Sequence, residues 1–561
     1  MATLKDALRT KLTEDELKIL PSSFDIVGDI VIFSGFPEEL SQKERIIAEE
    51  ILKLHKNVKV IAKKTRQYSG VYRTPKLEIM AGKHRKETVY RENNVMLKLD
   101  VEKVYFSPRL AEERKKIASF VREGEEVLVM FSGCGPYVFV IAKNSKPKIV
   151  YGIEKNPIAH KYALENLRLN KMKNIELILG DARKETIKLI EKRITLQLGL
   201  KSNISETQLK KILNEKPRFI EFFLRDEDIS TNIHVLEKKI QKIKNLKMAL
   251  MLHQPSCFNG IPVDISTSDK KITESSFECY NRLLKLCRKH KNIIGFIIHP
   301  CDCWTPFKSK KETFVRNFRK LSENKDFSRY VYVENVFKKI FKSEDEIIWI
   351  IRKAGIKNIC LDLPHFFVSK KGCSKKHQKE LLDFISKLKQ ECKLYFHIAD
   401  CDGKLRLVRN VSHGKKFKED KFYDESLPVG KGKIDFSKLL SIIDIAILEI
   451  FDSDHDRPVN EITSFRKIKQ MLEESARFDR IIMPLPKGAE DFLDVAFSAA
   501  RHNAVIHFYT FLREEDTPKK GVEQITKAAS AYKRKIKILG WRKCGHYAPG
   551  KFRVCIDFQV Q

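Results

Sequence analysis

The chain has 561 residues, 42% of them hydrophobic, enough to bury the cores of several domains and to exclude a wholly disordered protein. Lysine and arginine number 108 against 74 acidic residues, a formal net charge of +34; this fits a polyanionic partner held through phosphate contacts and counterion release. No apolar run is long enough to span a membrane, no secretory leader pattern stands at the start, and the 12 cysteines are scattered, so a cytoplasmic protein without a disulfide framework is expected, with a monomer compatible.

In chain order, residues 24–35 alternate enough for strands around a Gly-Asp turn. Residues 44–55 read as a helix, 58–63 as a strand and 89–99 as an edge or hairpin strand. Residues 1–110 are therefore expected to form a small α+β module with a basic, RNA-binding surface. From Glu125 the pattern changes. Strands are expected at 127–131, 149–153 and 175–179, alternating with helices at 137–143 and 157–170, which is the start of an open parallel sheet. Strand-like ends then recur at 218–223, 248–253, 293–299, 330–334, 359–362, 394–400 and 445–450, mostly separated by helical segments. Seven or eight such units over about 270 residues form a TIM-barrel pattern. After residue 470 the first sheet resumes, with strands at 478–483, 504–511, 535–540 and 554–558. The expected fold class is α/β, a Rossmann-like class I sheet with a barrel inserted between Asp181 and Asp479. The expected boundaries are 1–110, 111–190, 191–470 and 471–561. Cys301-Asp302-Cys303 is spaced too tightly for a zinc knuckle, and its thiols read as ordinary loop residues.

The turn Ser132-Gly133-Cys134-Gly135-Pro136 follows a strand, where glycines let backbone approach a ligand closely. Glu154 ends the second strand, and its carboxylate can accept two ribose hydroxyls. Asp181 ends the third and can meet an adenine amine or nearby backbone. No Gly-Lys-Ser/Thr phosphate loop accompanies them, which argues against a nucleoside triphosphatase. Pro136 and the bulky Tyr137 stand where a dinucleotide cradle needs small residues. S-adenosylmethionine fits this set better.

Several runs carry a resemblance. They are Leu20-Pro21-Ser22-Ser23-Phe24, Gly70-Val71-Tyr72-Arg73-Thr74-Pro75, Phe106-Ser107-Pro108-Arg109-Leu110, Glu113-Arg114 and Met130-Phe131-Ser132-Gly133-Cys134-Gly135-Pro136. Later come Met483-Pro484-Leu485-Pro486-Lys487, Ile506-His507-Phe508-Tyr509 and Tyr547-Ala548-Pro549. In order and spacing, with the insertion removed, they resemble the archaeal tRNA guanine-37 N1-methyltransferases. The resemblance covers under half of the chain. It implies that Glu113 removes the guanine N1 proton and that Arg73 stabilises charge on O6. It also implies cofactor contacts from Arg109, Phe131 and Pro484, a target-base loop at Leu485 and Pro486, and tRNA as the partner. Val129 stands where the family often has an acidic residue. Pro484 replaces a common Asn and offers no side-chain amide. Residues 1–110 resemble the family's second domain, without its separate N-terminal module. The related aminocarboxypropyl transferases of wyosine synthesis tend to carry Gly-Asn at Arg109-Leu110, so transfer of that larger group is one alternative. A non-enzymatic tRNA-binding protein is the other.

Within the insertion, late strand ends carry Glu334, Asp362, His365, His397 and Glu449, an oxygen-and-imidazole set suited to a divalent metal such as zinc or manganese. His253 and His299 end earlier strands. The runs Cys360-Leu361-Asp362-Leu363-Pro364-His365, Phe396-His397-Ile398-Ala399-Asp400, 427–436 and Leu448-Glu449-Ile450 resemble xylose-isomerase-like barrels, including sugar-phosphate isomerases and the endonuclease IV type of abasic-site nuclease. The nuclease pattern has Asp-Arg-His where this chain has Asp424-Glu425-Ser426. A one- or two-metal isomerase, epimerase or hydrolase is therefore expected before a three-metal nuclease, and a metal-holding tRNA scaffold is a further alternative.

Overall fold

The computed structural model describes residues 4–301, 308–336, 339–408, 422–424, 426–450, 458–485 and 487–561. The chain forms two compact units, Met1–Arg193 with Glu473–Gln561, and Ile194–Leu472. Cys303 and Pro486, singled out above, lie outside the described residues.

The first unit is built on a seven-stranded sheet. Its order is Ile536–Ala548, Lys551–Val560, Ala500–Arg513, Phe478–Met483, Glu126–Met130, Ile149–Glu154 and Ile175–Leu179. At its centre two segments some 350 residues apart pair in parallel, with Arg480, Ile481 and Ile482 opposite Val127, Leu128 and Val129. All of Glu126–Met130 is buried, as expected of a strand covered on both faces. The chain leaves this central strand first toward Ile175–Leu179 and later toward Ala500–Arg513. The strand order therefore reverses between Glu126–Met130 and Phe478–Met483, and the crevice beyond their carboxyl ends is the natural ligand position of such a sheet.

The N-terminal part carries a four-stranded sheet, Asp25–Val27, Ile30–Phe33, Val60–Ser69 and Thr74–Gly82, and a hairpin, Glu87–Glu92 with Val95–Asp100. Helix Pro157–Asn170 covers the hairpin's edge. Asn166 bonds both backbone groups of Lys98, and Asn170 both those of Met96. One helical turn between the two amides matches one two-residue step along the strand, which satisfies groups that an edge strand leaves open.

The second unit is a closed barrel of eight parallel strands: Gln197–Ser202, Phe219–Phe223, Ala249–His253, Ile293–Ile298, Val331–Glu334, Asn358–Asp362, Lys393–Ile398 and Ile445–Leu448. The first of these, which follows helix Ala182–Arg193, was not among the strand ends read from sequence. The barrel's inner cluster is Phe219, Met251, Ile297, Tyr332, Cys360, Tyr395 and Ile447. Gly199 belongs to the same layer, since a Cβ there would lie 2.7 Å from the Phe219 ring and 2.8 Å from Ile447. Side chains alternate along a strand, so the residue two places on from each of these faces inward one layer higher. Those residues are Lys201, Glu221, His253, His299, Glu334, Asp362, His397 and Glu449.

Candidate functional sites

In the first unit the chain turns sharply after Glu126–Met130. Phe131, Gly133 and Gly135 all take left-handed backbone, with φ of 58°, 59° and 93°. At Gly135 a Cβ would also run into the Phe139 ring at 2.2 Å, so glycine is required twice over. Beside Gly133 the space is open, the nearest neighbour of a Cβ being the Tyr105 carbonyl at 3.7 Å. Gly133 N–H donates to Glu154 Oε2 at 2.6 Å, and Asn156 N–H to Oε1 at 2.6 Å. Each carboxylate oxygen thus keeps acceptor capacity toward the crevice. Burial pushes the Glu154 carboxyl up, and the backbone donors only partly offset this. Asp181 ends the next strand and accepts from Lys155 Nζ at 3.2 Å and from Arg183 N–H at 3.1 Å. Arg109, expected at the cofactor, is 57% exposed and reaches Asp25 at 2.7 Å.

Arg73 and Glu113 have different partners. Arg73, at φ 49° in the turn between Val60–Ser69 and Thr74–Gly82, donates to the Lys487 carbonyl at 2.7 Å. That contact places it at the loop after Phe478–Met483, where Pro484 and Leu485 are half-buried. Glu113, on helix Ala111–Phe120, is only 8% exposed. Its carboxylate takes a guanidinium fork from Arg542 and the Tyr509 hydroxyl at 2.6 Å. Tyr137 donates in turn to Tyr509 at 3.2 Å. Arg542 also bonds Asp557, which accepts from His507 Nδ1 at 2.7 Å, while His507 Nε2 accepts from Arg480 at 2.8 Å. Both ring nitrogens are used, so the group His507, Cys555 and Asp557 has no imidazole lone pair left for a metal. Burial, with the nearby Arg480 and Arg542, keeps His507 neutral by lowering its pKa.

In the barrel, the structure brings together all seven residues expected from sequence. Ligand atoms of Glu334, Asp362, His397 and Glu449 lie within 4.8 Å of one another, and so do those of His253, His299 and Glu334. Glu334 is common to both groups. His365 Nδ1 lies 3.5 Å from Glu334 and 3.4 Å from Asp362 while bonding the Asn335 carbonyl at 2.8 Å.

Two residues missed in the sequence complete this site. Glu221, fully buried, accepts from His397 Nε2 at 3.1 Å and from Tyr395 at 2.8 Å. Lys201 reaches Glu449, and lies 3.6 Å from Glu221. Because Glu221 holds the Nε2 proton, His397 presents its Nδ1 lone pair to Glu334 at 3.5 Å, Asp362 at 3.9 Å and Glu449. His397 Nδ1 and Glu449 Oε2 are buried in direct contact with each other, a pairing that needs a proton or a metal ion between them. Similarly His253 donates Nδ1–H to the Gln254 carbonyl, and its Nε2 faces Glu334 at 3.3 Å. Lone pairs facing carboxylates repel unless a proton or metal ion lies between. At His253 burial and the Lys201 charge lower the pKa, whereas His397 is shifted the other way. Burial alone would lower that of His397, but Cys360, Glu449, Glu221 and Glu334 hold it well above its usual value. A sequence signal for Glu221 existed: a lone carboxylate in the apolar strand Phe-Ile-Glu-Phe-Phe.

Residues 88–247 and 458–539 match the TRM5/TYW2 methyltransferase domain, and residues 4–85 match the TYW2 N-terminal domain. The first match overruns the unit boundaries into the barrel at both ends. The chain is 46% identical over 171 residues to the tRNA (guanine(37)-N(1))-methyltransferase Trm5b of Pyrococcus abyssi, covering 30% of this chain and 51% of the relative. It is 44% identical over 159 residues to the tRNA (guanine(37)-N(1))/4-demethylwyosine(37)-methyltransferase Taw22 of Nanoarchaeum equitans, covering 28% and 52%. It is 42% identical over 170 residues to a tRNA(Phe) (4-demethylwyosine(37)-C(7)) aminocarboxypropyltransferase of Methanocaldococcus jannaschii, covering 30% and 65%. The chain thus spans about half the length of the first two of these curated relatives. Among solved structures, Pyrococcus abyssi Trm5b aligns with a TM-score of 0.45 at 21% identity, over 100% of this chain and 82% of that one. The 3-keto-D-glucoside 4-epimerase of E. coli aligns with a TM-score of 0.34 at 11% identity, over 48% and 99%. This chain carries a methyltransferase domain of the TRM5/TYW2 family, and an eight-stranded parallel barrel stands between its two parts.

Proposed function

We propose that the first unit methylates N1 of guanosine 37 in tRNA, with S-adenosylmethionine as donor. The observation that carries this reading is the crevice at the strand-order reversal. The open Gly133 turn and Glu154 stand on one side of it, and the Pro484-Leu485 loop with Arg73 on the other. When bound, the cofactor supplies an electrophilic methyl group on its sulfonium. Glu154 is suited to the ribose hydroxyls and Asp181 to the adenine side. Guanine N1 carries a proton and is a poor nucleophile, so a base is needed, and Glu113 is that base in this reading. Arg73 is suited to charge developing on O6. Arg109-Leu110 in place of Gly-Asn favours methyl over aminocarboxypropyl transfer. Relatives of both activities match this chain, so product identity is the test. Unmodified tRNA transcript is incubated with labelled cofactor, digested, and its nucleosides identified. The expected product is 1-methylguanosine. An aminocarboxypropyl nucleoside overturns the reading, and tight tRNA binding without cofactor binding favours a non-enzymatic role.

The buried convergence of these ligand atoms supports a second reading, that the barrel holds a divalent metal ion on Glu334, Asp362, His397 and Glu449. His253, His299 and His365 stand around it, the first two with Glu334 forming a group able to take a second ion. Glu221 is placed as the outer carboxylate that fixes the ligating tautomer of His397. A bound ion would act as a Lewis acid or lower the pKa of a bound water. Elemental analysis beside the double variant His365→Ala/Glu449→Ala checks this. Wild-type protein that is metal-free and fails to bind added zinc or manganese refutes it. Metal lost with methylation retained supports two separable sites.

A further inference from the structure

Glu113 is held by an arginine that lies outside every sequence motif named above. Arg542, on strand Ile536–Ala548, sends Nε at 2.8 Å to Glu113 Oε2 and at 3.0 Å to Oε1, and its Nη2 also bonds Oε1. Tyr509 adds its hydroxyl to Oε1. Oε1 therefore faces three donors, and Oε2 bonds the shared Nε–H. The guanidinium is fixed from behind. Its Nη1 goes to Asp557, which His507 also holds, and His507 is locked by Arg480, itself in a fork with Glu125. Arg542 is 14% exposed and Asp557 12%, and the guanidinium also lies 5.7 Å from the centre of the Phe120 ring. A surface ion pair would not need two buried carboxylates braced through a neutral histidine.

Resting on the reading of Glu113 as the base, we infer that Arg542 is the residue that positions it and leaves Oε2 as the oxygen that accepts the guanine N1 proton. In that step the N1–H bond breaks and Oε2–H forms. The N1 electron pair forms the bond to the methyl carbon, and the C–S pair returns to sulfur. Tyr509 and Arg542 Nη2 hold Oε1, while Oε2 takes only the shared Arg542 Nε–H and so keeps the greater acceptor capacity. The groups that face Glu113 are Arg542, Tyr509, Tyr137, Cys544, Cys555 and, beyond the guanidinium, Asp557. Among the described residues, Arg542 is the cation bonded to the carboxylate.

The test is single-turnover methyl transfer across pH for Arg542→Met, Arg542→Lys, Glu113→Gln and the double variant Glu113→Gln/Arg542→Met, with cofactor binding and melting measured on each. Arg542→Met is expected to lose at least tenfold in rate, because the Glu113 carboxylate loses the fork that orients it. Arg542→Lys keeps a donor to the carboxylate without the fork and is expected to recover part of the rate, with a smaller loss. In the Glu113→Gln background Arg542→Met is expected to cost nothing further, since it acts only through Glu113. A folded Arg542→Met as fast as wild type, or with its full cost retained in the Glu113→Gln background, overturns the inference while leaving the base reading intact. A Glu113→Gln variant as fast as wild type sinks the base reading itself. Should Arg542→Met not fold, the same cycle is run with Arg542→Lys, whose small loss must likewise vanish beside Glu113→Gln.

Discussion

Replacing Glu221 tests the barrel centre at a residue that would not itself touch the metal. Its carboxylate is fully buried and serves His397 Nε2, Tyr395 and Lys201. Glu221→Gln keeps an acceptor for His397 but makes it neutral. Charge-assisted hydrogen bonds are roughly twice as strong as neutral ones, so about 1 kcal/mol is lost, which is about fivefold in metal affinity. Glu221→Leu removes the acceptor. His397 Nε2–H is left with no partner, its tautomer is no longer fixed, and losses of about 10- to 100-fold follow from such outer-shell changes. Lys201 then leans wholly on Glu449 and competes with the ion for that carboxylate, so both effects have the same sign. Leaving a buried ammonium half-paired also costs stability, up to about 3–5 kcal/mol if no rearrangement occurs. Calorimetric titration of chelator-stripped protein with zinc and with manganese measures the affinities, and melting curves measure the stability. Methylation is followed in parallel and is expected to be unchanged in Glu221→Gln. Affinity in the order wild type, then Gln, then Leu is expected; wild-type affinity in a folded Glu221→Leu refutes the placement of Glu221 behind a metal ligand.

Further outcomes follow from the first unit. Glu113→Gln is expected to bind cofactor normally and to slow transfer by about 10²-fold or more; Arg73→Ala also impairs transfer, and near-normal single-turnover rates in Glu113→Gln across pH would refute the base assignment. Gly135→Ala combines a left-handed backbone with a clash on Phe139, together about 2–5 kcal/mol, read as a lowered melting temperature, and an unchanged melt counts against the turn geometry. Glu154 has a raised pKa, so the folded state binds its proton more tightly than the unfolded chain does, and stability falls as pH rises from the ordinary value through the raised one. Glu154→Gln is therefore expected to melt at or above the wild-type temperature at neutral pH, with the difference vanishing in acid, while losing cofactor affinity. In the wild type, cofactor affinity is expected to fall on acidification at a higher pH than an ordinary glutamate would give; calorimetry across pH checks both.

Local physics makes much of this chain legible from its sequence alone. The Gly133–Gly135 turn, the acidic residues closing the second and third strands, and the strand–helix alternation are all set by residues within a few positions of each other. The barrel's inward carboxylates and histidines are readable for the same reason: each of those that continues a strand stands two places past a residue that fills the barrel. The first barrel strand escapes because Gly199 and Lys201 interrupt its apolar run, although inside the barrel glycine makes room for Phe219 and the lysine meets carboxylates. Tertiary structure alone decides the partners. It puts Arg480–Ile482 against Val127–Val129, seats Arg73 on Lys487, and gives Glu113 not to Arg73 but to Arg542 and Tyr509. A sequence states which charges must be buried somewhere; a buried charge must find a partner of opposite sign, and only chain closure over hundreds of residues determines which one it meets.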